Sequence, residues 1–172
     1  MSKVDTQGWK AFRVGDLFEV TGSVTTPKQN LCLDDNADYP YVTTQAVDNG
    51  VFGYSNVYTE QGGVLTVDSA VAGSCFYQKQ CFTASDHVEK LIPRFALTEN
   101  CGLFLSAVMN KLAKYYGYSY AVKRSQRVLR EEMIYLPATP DGQPDWAWME
   151  QYMQQQMDKA EALVEHLDAV WG

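Results

Sequence analysis

The sequence predicts an α+β protein: a compact, strongly bent, mixed β-sheet with helices packed on it, followed by a long C-terminal α-helix suited to coiled-coil pairing. Three observations carry this expectation. From Trp9 to about Leu97, short apolar runs are broken by Gly, Pro, Asn and Asp, the punctuation of strands and tight turns. After Asn100 the apolar residues return at helical spacing, and from Trp146 to Val170 they return in steps of three and four, the spacing of a heptad seam.

In the first part the expected strands are Tyr41-Val42-Thr43, Val64 to Val67, Val71 to Tyr77 and Phe82 to Ile92, separated by Asp48-Asn49-Gly50, Gly62-Gly63 and Lys79-Gln80. Gly62-Gly63 and Gly73 fit tight turns. The polar run PKQNLCLDDNAD, between Pro27 and Asp38, suits an exposed loop. Leu103, Phe104, Ala107, Val108, Leu112 and Tyr115 then define one amphipathic helix, with Asn100 as its cap. The aromatic run YYGYSY leads through VKRSQRVLREE into a short strand, Met133 to Leu136, which Pro137 ends.

The turn-rich TPDGQP, from Thr139 to Pro144, is the expected joint between residues 1–140 and a helical region at 141–172. Asp145 can cap that last helix, which would run for about 40 Å. Its stripe of Trp146, Met149, Met153, Gln156, Ala160, Leu163, Leu167 and Val170 is too long to be buried on its own domain, so it calls for a partner helix. A terminal helix lying flat on the sheet is the alternative.

At 172 residues and 46% apolar content, with seven Phe, eleven Tyr and four Trp, the chain has enough apolar surface to offset the entropy of ordering it. The opening MSKVDTQGWKAF lacks the apolar core of a secretory signal, and no run approaches the roughly 18 to 20 residues of a membrane span. A cytoplasmic location without membrane association is expected. Cys32, Cys75, Cys81 and Cys101 form no C-x-x-C pair and the two histidines are far apart, so no metal site is expected and the cysteines read as buried thiols.

The net charge of −7 hides an uneven distribution. Residues 1–99 hold 12 acids and 7 bases, residues 100–130 no acid and 6 bases, and residues 131–172 hold 9 acids and 1 base. One segment therefore carries a positive field that the total conceals. Its bases, Lys111, Lys114, Lys123, Arg124, Arg127 and Arg130, flank Tyr115, Tyr116, Tyr118 and Tyr120. Bases neutralise phosphates, while tyrosines and guanidinium groups pack on sugars and bases. A solvated helix face followed by a half-buried aromatic strand would give the same composition.

The run FTASDHVEKLIP places Ser85, Asp86 and His87 side by side. On a strand Asp86 and His87 would point to opposite faces, so the carboxylate could not orient the imidazole. Ser85 and His87 would share a face with Cα atoms about 6.5 to 7 Å apart, and no G-x-S-x-G elbow surrounds the serine. They read as satisfied polar groups at a strand kink or bulge. A serine or cysteine hydrolase centred here, with Cys75 or Cys81 as the other nucleophile, is the enzymatic alternative. Phosphate-loop, dinucleotide and H-E-x-x-H motifs are absent, and no cofactor is expected.

The succession WKAFRVGDLFEV, YPYVTT, GVFGYS, GGVLTV, AGSCFYQ, FTASDHVEKLIP, LFLSAVMNK and MIYLPATPDGQPDWAWMEQYM resembles the specificity subunits of type I restriction-modification systems, closest to a variant that also serves type II enzymes. The resemblance covers the chain from Trp9 to its end. It implies a target recognition domain followed by a helical conserved region, without enzymatic activity. In that family two such units pair their long helices antiparallel and hold two recognition domains on double-stranded DNA. The subunit docks methyltransferase subunits, which bind S-adenosylmethionine and flip the target adenine, and motor-nuclease restriction subunits.

This sequence shows one unit instead of two, as a half-subunit, a natural single-domain version or a truncated piece of a longer subunit would, and a half-subunit would need to dimerise. A homodimer through the C-terminal seam and a bipartite, palindromic target are therefore expected. Loop residues of a type suited to DNA contact are Lys28, Gln29, Asn30, Thr44, Gln45, Tyr54 and Ser55, joined by Tyr118, Lys123, Arg124 and Arg127 from the basic stretch. The alternative is a decoy or assembly modulator that occupies methyltransferase subunits without reading DNA.

Overall fold

The computed structural model describes residues 4–171, with side chains through Asp168. Three small sheets make up the β part. Strand β1 (Lys10–Arg13) pairs antiparallel with β9 (Met133–Leu136). A four-stranded antiparallel sheet runs in the order β2 (Phe18–Gly22), β8 (Val88–Pro93), β5 (Val64–Asp68), β6 (Cys75–Gln78). The third sheet orders β4 (Val51–Ser55), β3 (Tyr39–Val42) and β7 (Thr83–Ala84), with β3 and β7 parallel. Mixed pairing and short strands give the bent sheet expected.

Four helices complete the chain: α1 (Val14–Leu17), α2 (Glu99–Tyr116), α3 (Gln126–Glu131) and α4 (Trp146–Trp171). Local chemistry sets their ends. Thr98, two residues earlier than the expected Asn100, accepts the Cys101 N–H and starts α2. Gly117, at φ 66°, ends it. Ser125 caps α3 through the Val128 N–H, and Asp145 accepts the Trp148 N–H at 2.9 Å at the head of α4.

Helix α2 lies against β6, with Gly102 so close to the Tyr77 ring that a Cβ would come within 2.4 Å of it. Asn110 also satisfies the edge of β6, accepting the Cys75 N–H at 2.8 Å and donating to its carbonyl at 2.7 Å. The main core gathers Phe18, Leu65, Leu91, Leu105, Met109 and Met149 between the four-stranded sheet, α2 and the head of α4. A second cluster, Val42, Val64, Phe82, Ala84 and Val88, joins the third sheet to the second.

The expected strand at Val71 to Tyr77 begins later, at Cys75. Residues 69–74 form a tight loop folded around Asp68, whose carboxylate accepts the N–H groups of Ala70, Val71, Ala72 and Gly73. Those amides are held by a side chain and so do not enter the ladder. The expected strand from Phe82 to Ile92 is broken at Ser85–His87, where the chain turns and His87 takes φ 61°. Strands β1, β2 and β4 lie outside the strands expected from the apolar runs. Of the cysteines, Cys75 and Cys101 are buried, Cys81 is half-buried and Cys32 is exposed, which corrects the expectation of four buried thiols.

Helix α4 divides in two. Over its first three turns Trp146 stacks on Phe95 (3.9 Å between centroids, 13° between planes), Met149 is fully buried, and Trp148 stacks on Tyr152 at 5.1 Å. Asn100 Nδ2 donates to Glu150 at 2.8 Å, and the Thr98 hydroxyl donates to the same carboxylate. Met153 packs on the same core. Trp146, Met149 and Met153, expected in a seam for a partner helix, are thus covered by their own domain. Gln156 is half-buried, and every residue from Asp158 to Asp168 is exposed. Ala160, Leu163 and Leu167, with Val164 beside them, form the uncovered part of the stripe. The Val170 side chain lies outside the described residues.

Candidate nucleic-acid interface

The residues expected to meet DNA fall on two surfaces. The first belongs to the third sheet and the loop before it. Lys28, Gln29 and Asn30 form one exposed 3-10 turn, held by the Asn30 N–H to Pro27 carbonyl bond. The Lys28 ammonium lies 4.0 Å from the centroid of Phe52, on β4. Tyr54, two residues on, shares that face, and both rings are exposed.

Two residues here, Ser55 and Gln45, do other work. Ser55 is buried and its hydroxyl accepts the Val57 N–H. Gln45 turns its amide inward and donates to the carbonyls of Val47 and Val51 at 3.2 and 3.1 Å, bracing its own loop. Thr44 is half-buried. The polarity of Ser55 and Gln45 closes turns that must stay at the surface, a use that sequence cannot separate from base contact. Phe52 and Tyr58 are exposed aromatic rings outside the expected set, and the alternation of Phe52 and Tyr54 in GVFGYS carries a period-two signal for the first of them.

The second surface is the basic, tyrosine-rich segment between α2 and α3. Lys111 and Lys114 lie on the exposed side of α2, and Lys123 and Arg127 are exposed beyond it. None of these four enters an ion pair among the described residues. Tyr115 and Tyr116 pack edge to face at 5.4 Å, also in the open. Beside them a cleft of about 530 Å³ is bordered by Tyr116, Tyr118, Arg127, Val128 and Met133, with Glu131 and Glu132 on its wall as well. Arg130 is turned away, donating to the Val20 carbonyl at 2.7 Å on the edge of the four-stranded sheet.

Arg124, expected as a DNA contact, is instead the largest fully buried side chain of the protein's described part, 1% exposed. It forms a two-pronged ion pair with Glu132 (2.5 and 3.2 Å) and donates to the Gly73 carbonyl at 2.6 Å. A guanidinium can be held in the interior only when its donors meet acceptors such as a carboxylate and a carbonyl, and from there it cannot serve phosphate. Tyr118 is half-buried in the same cluster. Its hydroxyl donates to Glu132 at 2.8 Å, and its ring faces Arg124 at 5.3 Å. Burial, reinforced by the hydrogen bond to Glu132, pushes its phenol above the ordinary tyrosine range. Gly73, at φ 68°, passes so near that a Cβ would lie 2.9 Å from the Tyr118 ring.

The Ser85-Asp86-His87 run lies in an exposed turn, so Asp86 and His87 do approach, Oδ2 to Nε2, at 3.5 Å. That corrects the opposite-face expectation, which assumed a strand. The serine hydroxyl turns to the Asp86 carbonyl and not to the imidazole. Burial pushes the Cys75 thiol up to about 12, so at neutral pH it is a protonated packing group.

An α+β body with a basic, aromatic surface and a projecting terminal helix fits the specificity subunits that the sequence resembles. Comparison with known proteins agrees: the family model for the type I restriction modification DNA specificity domain matches residues 6–166, and the chain belongs to that family. It is 26% identical over 155 residues to the specificity subunit of a type II restriction enzyme from Heyndrickxia coagulans, covering 88% of this chain and 44% of that protein. Among solved structures it is similar to the type I restriction-modification S subunit from M. genitalium (TM-score 0.66, 11% identity, 94% of this chain and 41% of that one). The HsdS subunit from Thermoanaerobacter tengcongensis is similar too (TM-score 0.61, 12% identity, 92% and 40%). The chain thus spans less than half the length of the relatives it matches. No helix among the described residues is long and apolar enough to cross a membrane.

Proposed function

We propose that this protein is a non-catalytic DNA-recognition subunit of a restriction-modification system, which directs methyltransferase subunits, and with them restriction subunits, to a bipartite target on double-stranded DNA. The observation that carries this reading is the surface formed by Lys111, Lys114, Lys123 and Arg127 with Tyr115 and Tyr116: four cations outside any described ion pair, on a family member that is acidic elsewhere. A polyanion responds to that local field and not to the net charge. Lys28, Gln29, Asn30 and Tyr54 are proposed as the second contact region, where amides can pair with adenine edges.

The body up to about residue 140 is the recognition unit in this reading, and the helical region from 141 sets its distance from a second unit. The uncovered stripe of Ala160, Leu163, Val164 and Leu167 supports pairing with a second copy or with a second unit of a longer chain. Because Trp146, Met149 and Met153 pack on the core of their own domain, the pairing is confined to the distal part of α4.

The test adds the protein to its methyltransferase subunit and measures site-specific adenine methylation and target affinity across a salt series. Gain of methylation at one sequence supports recognition; suppression of methylation supports the decoy. Lys123→Ala with Arg127→Ala is expected to lower the slope of log affinity against log salt by about 2. An unchanged slope would remove this surface from the interface.

A further inference from the structure

The segment from Tyr118 to Arg124 leaves the body and returns to it at one point. Tyr118, its first residue, and Arg124, its last, both bind the carboxylate of Glu132: the phenol at 2.8 Å and Arg124 Nε at 3.2 Å share one oxygen. The other oxygen takes Arg124 at 2.5 Å, and the same guanidinium holds the Gly73 carbonyl. Halfway along, Ser119 and Val122 exchange both backbone hydrogen bonds, at 3.1 and 3.0 Å, which leaves Tyr120 and Ala121 as the tip of a tight turn. Tyr120 is 80% exposed, and the Lys123 ammonium lies 5.5 Å from its ring centroid.

A large aromatic ring held in water by a closed loop gains nothing for the fold. Burying it would gain free energy, and the loop instead costs ordering entropy. A buried ion pair is a poor source of stability but a good means of fixing one geometry. The clamp is therefore spent on presentation. We propose that this turn is a preformed reading element, in which the Tyr120 ring packs on the sugar and base edges of a duplex groove while Lys123 meets the adjoining phosphate.

The inference rests on the DNA-recognition reading and names a contact within it. Charge selects the occupant: the turn carries no acid between Tyr118 and Arg124, and Lys111, Lys114 and Arg127 lie in the segments that flank it. The ring needs no induced fit, since both ends of its loop are already tied down, so binding loses little conformational freedom. Tyr118, Arg124 and Glu132 act as positioning residues in this arrangement and touch no DNA.

The experiment uses the full chain assembled with its methyltransferase subunit and a labelled duplex carrying the target, in a salt series. Tyr120→Ala is expected to lower target affinity about tenfold, the scale of one lost aromatic–base contact, with unchanged salt slope, thermal midpoint and subunit assembly. Tyr120→Phe should retain most of the affinity. Tyr118→Phe removes one bond of the clamp and should lower affinity about threefold, an effect that disappears in the Tyr120→Ala background.

Wild-type affinity in Tyr120→Ala overturns the inference while leaving the recognition reading intact. Loss of subunit assembly in that variant overturns it as well, since the turn would then dock on protein. If the unaltered assembly shows no sequence preference at all, the recognition reading itself fails.

Discussion

The two halves of α4 carry one continuous stripe of apolar side chains and meet opposite fates. From Trp146 to Met153 the stripe is absorbed by the core, stacked on Phe95 and Tyr152 and buried around Met149. From Asp158 to Asp168 the same periodicity stands in solvent. The basic stretch divides in the same way: Arg124 is sealed against Glu132, while Arg127, three residues on, is exposed. Pattern tells that a side chain is available for packing or pairing, but not with what.

The sharpest way to break this comparison is to delete each member of a pair. Arg124→Met should cost about 3–5 kcal/mol in urea denaturation, because it leaves the Glu132 carboxylate buried and unpaired. Arg127→Ala should stay within about 0.5 kcal/mol, as expected for an exposed side chain. Equal effects would dissolve the distinction between clamp and surface.

Next in size is the helix. Met149→Ala should cost about 2–5 kcal/mol through the cavity it leaves in the core. Leu163→Ala should change the unfolding of the monomer by about 0.5 kcal/mol or less, and act on self-association followed by sedimentation instead. If sedimentation of the intact chain and of Leu163→Ala both show monomers at high concentration, pairing of the distal stripe with a second copy is overturned.

A further contrast concerns pH. The Cys75 thiol is raised from an ordinary value near 9 to about 12, and Tyr118 is raised in the same direction. The folded state therefore keeps protons that the unfolded chain gives up. Stability is intact below about pH 9 and falls between about pH 9 and 12. Cys75→Ala should flatten that fall in denaturation midpoints measured at pH 8 and 11. An identical decline in the variant would place its source elsewhere.

Much of the architecture was legible in the chain. Strand β9 and the cap at Asp145 stand where the local pattern put them, because both depend on residues within one turn or one strand. The long helix was equally local, read from a period that extends over several turns. Strands β1, β2 and β4 were not legible: their partners lie at Met133–Leu136, Val88–Pro93 and Tyr39–Val42, and short runs such as KAFR carry little signal without those partners.

The candidate interface was legible in composition and not in membership. Lys123 and Arg127 could be named, as could the loop at Lys28, since charge and turn chemistry are properties of the residues themselves. The roles of Tyr118 and Arg124 depended on neighbours up to 51 residues away, as the bond from Arg124 to Gly73 shows, while Gln45 and Ser55 are taken by nearby backbone that their residue type alone does not reveal.

The sequence by itself determined the family, the helical period of α4, the concentration of positive charge between Lys111 and Arg130, and the turns that interrupt the strands. Tertiary structure alone decided which arginine is interior, where α4 leaves the core, and that Tyr118 and Arg124 close on one carboxylate. The reason is physical: propensity, capping and charge act over a few residues, whereas desolvation and ion pairing are settled by whichever distant groups the fold brings within about 3 Å.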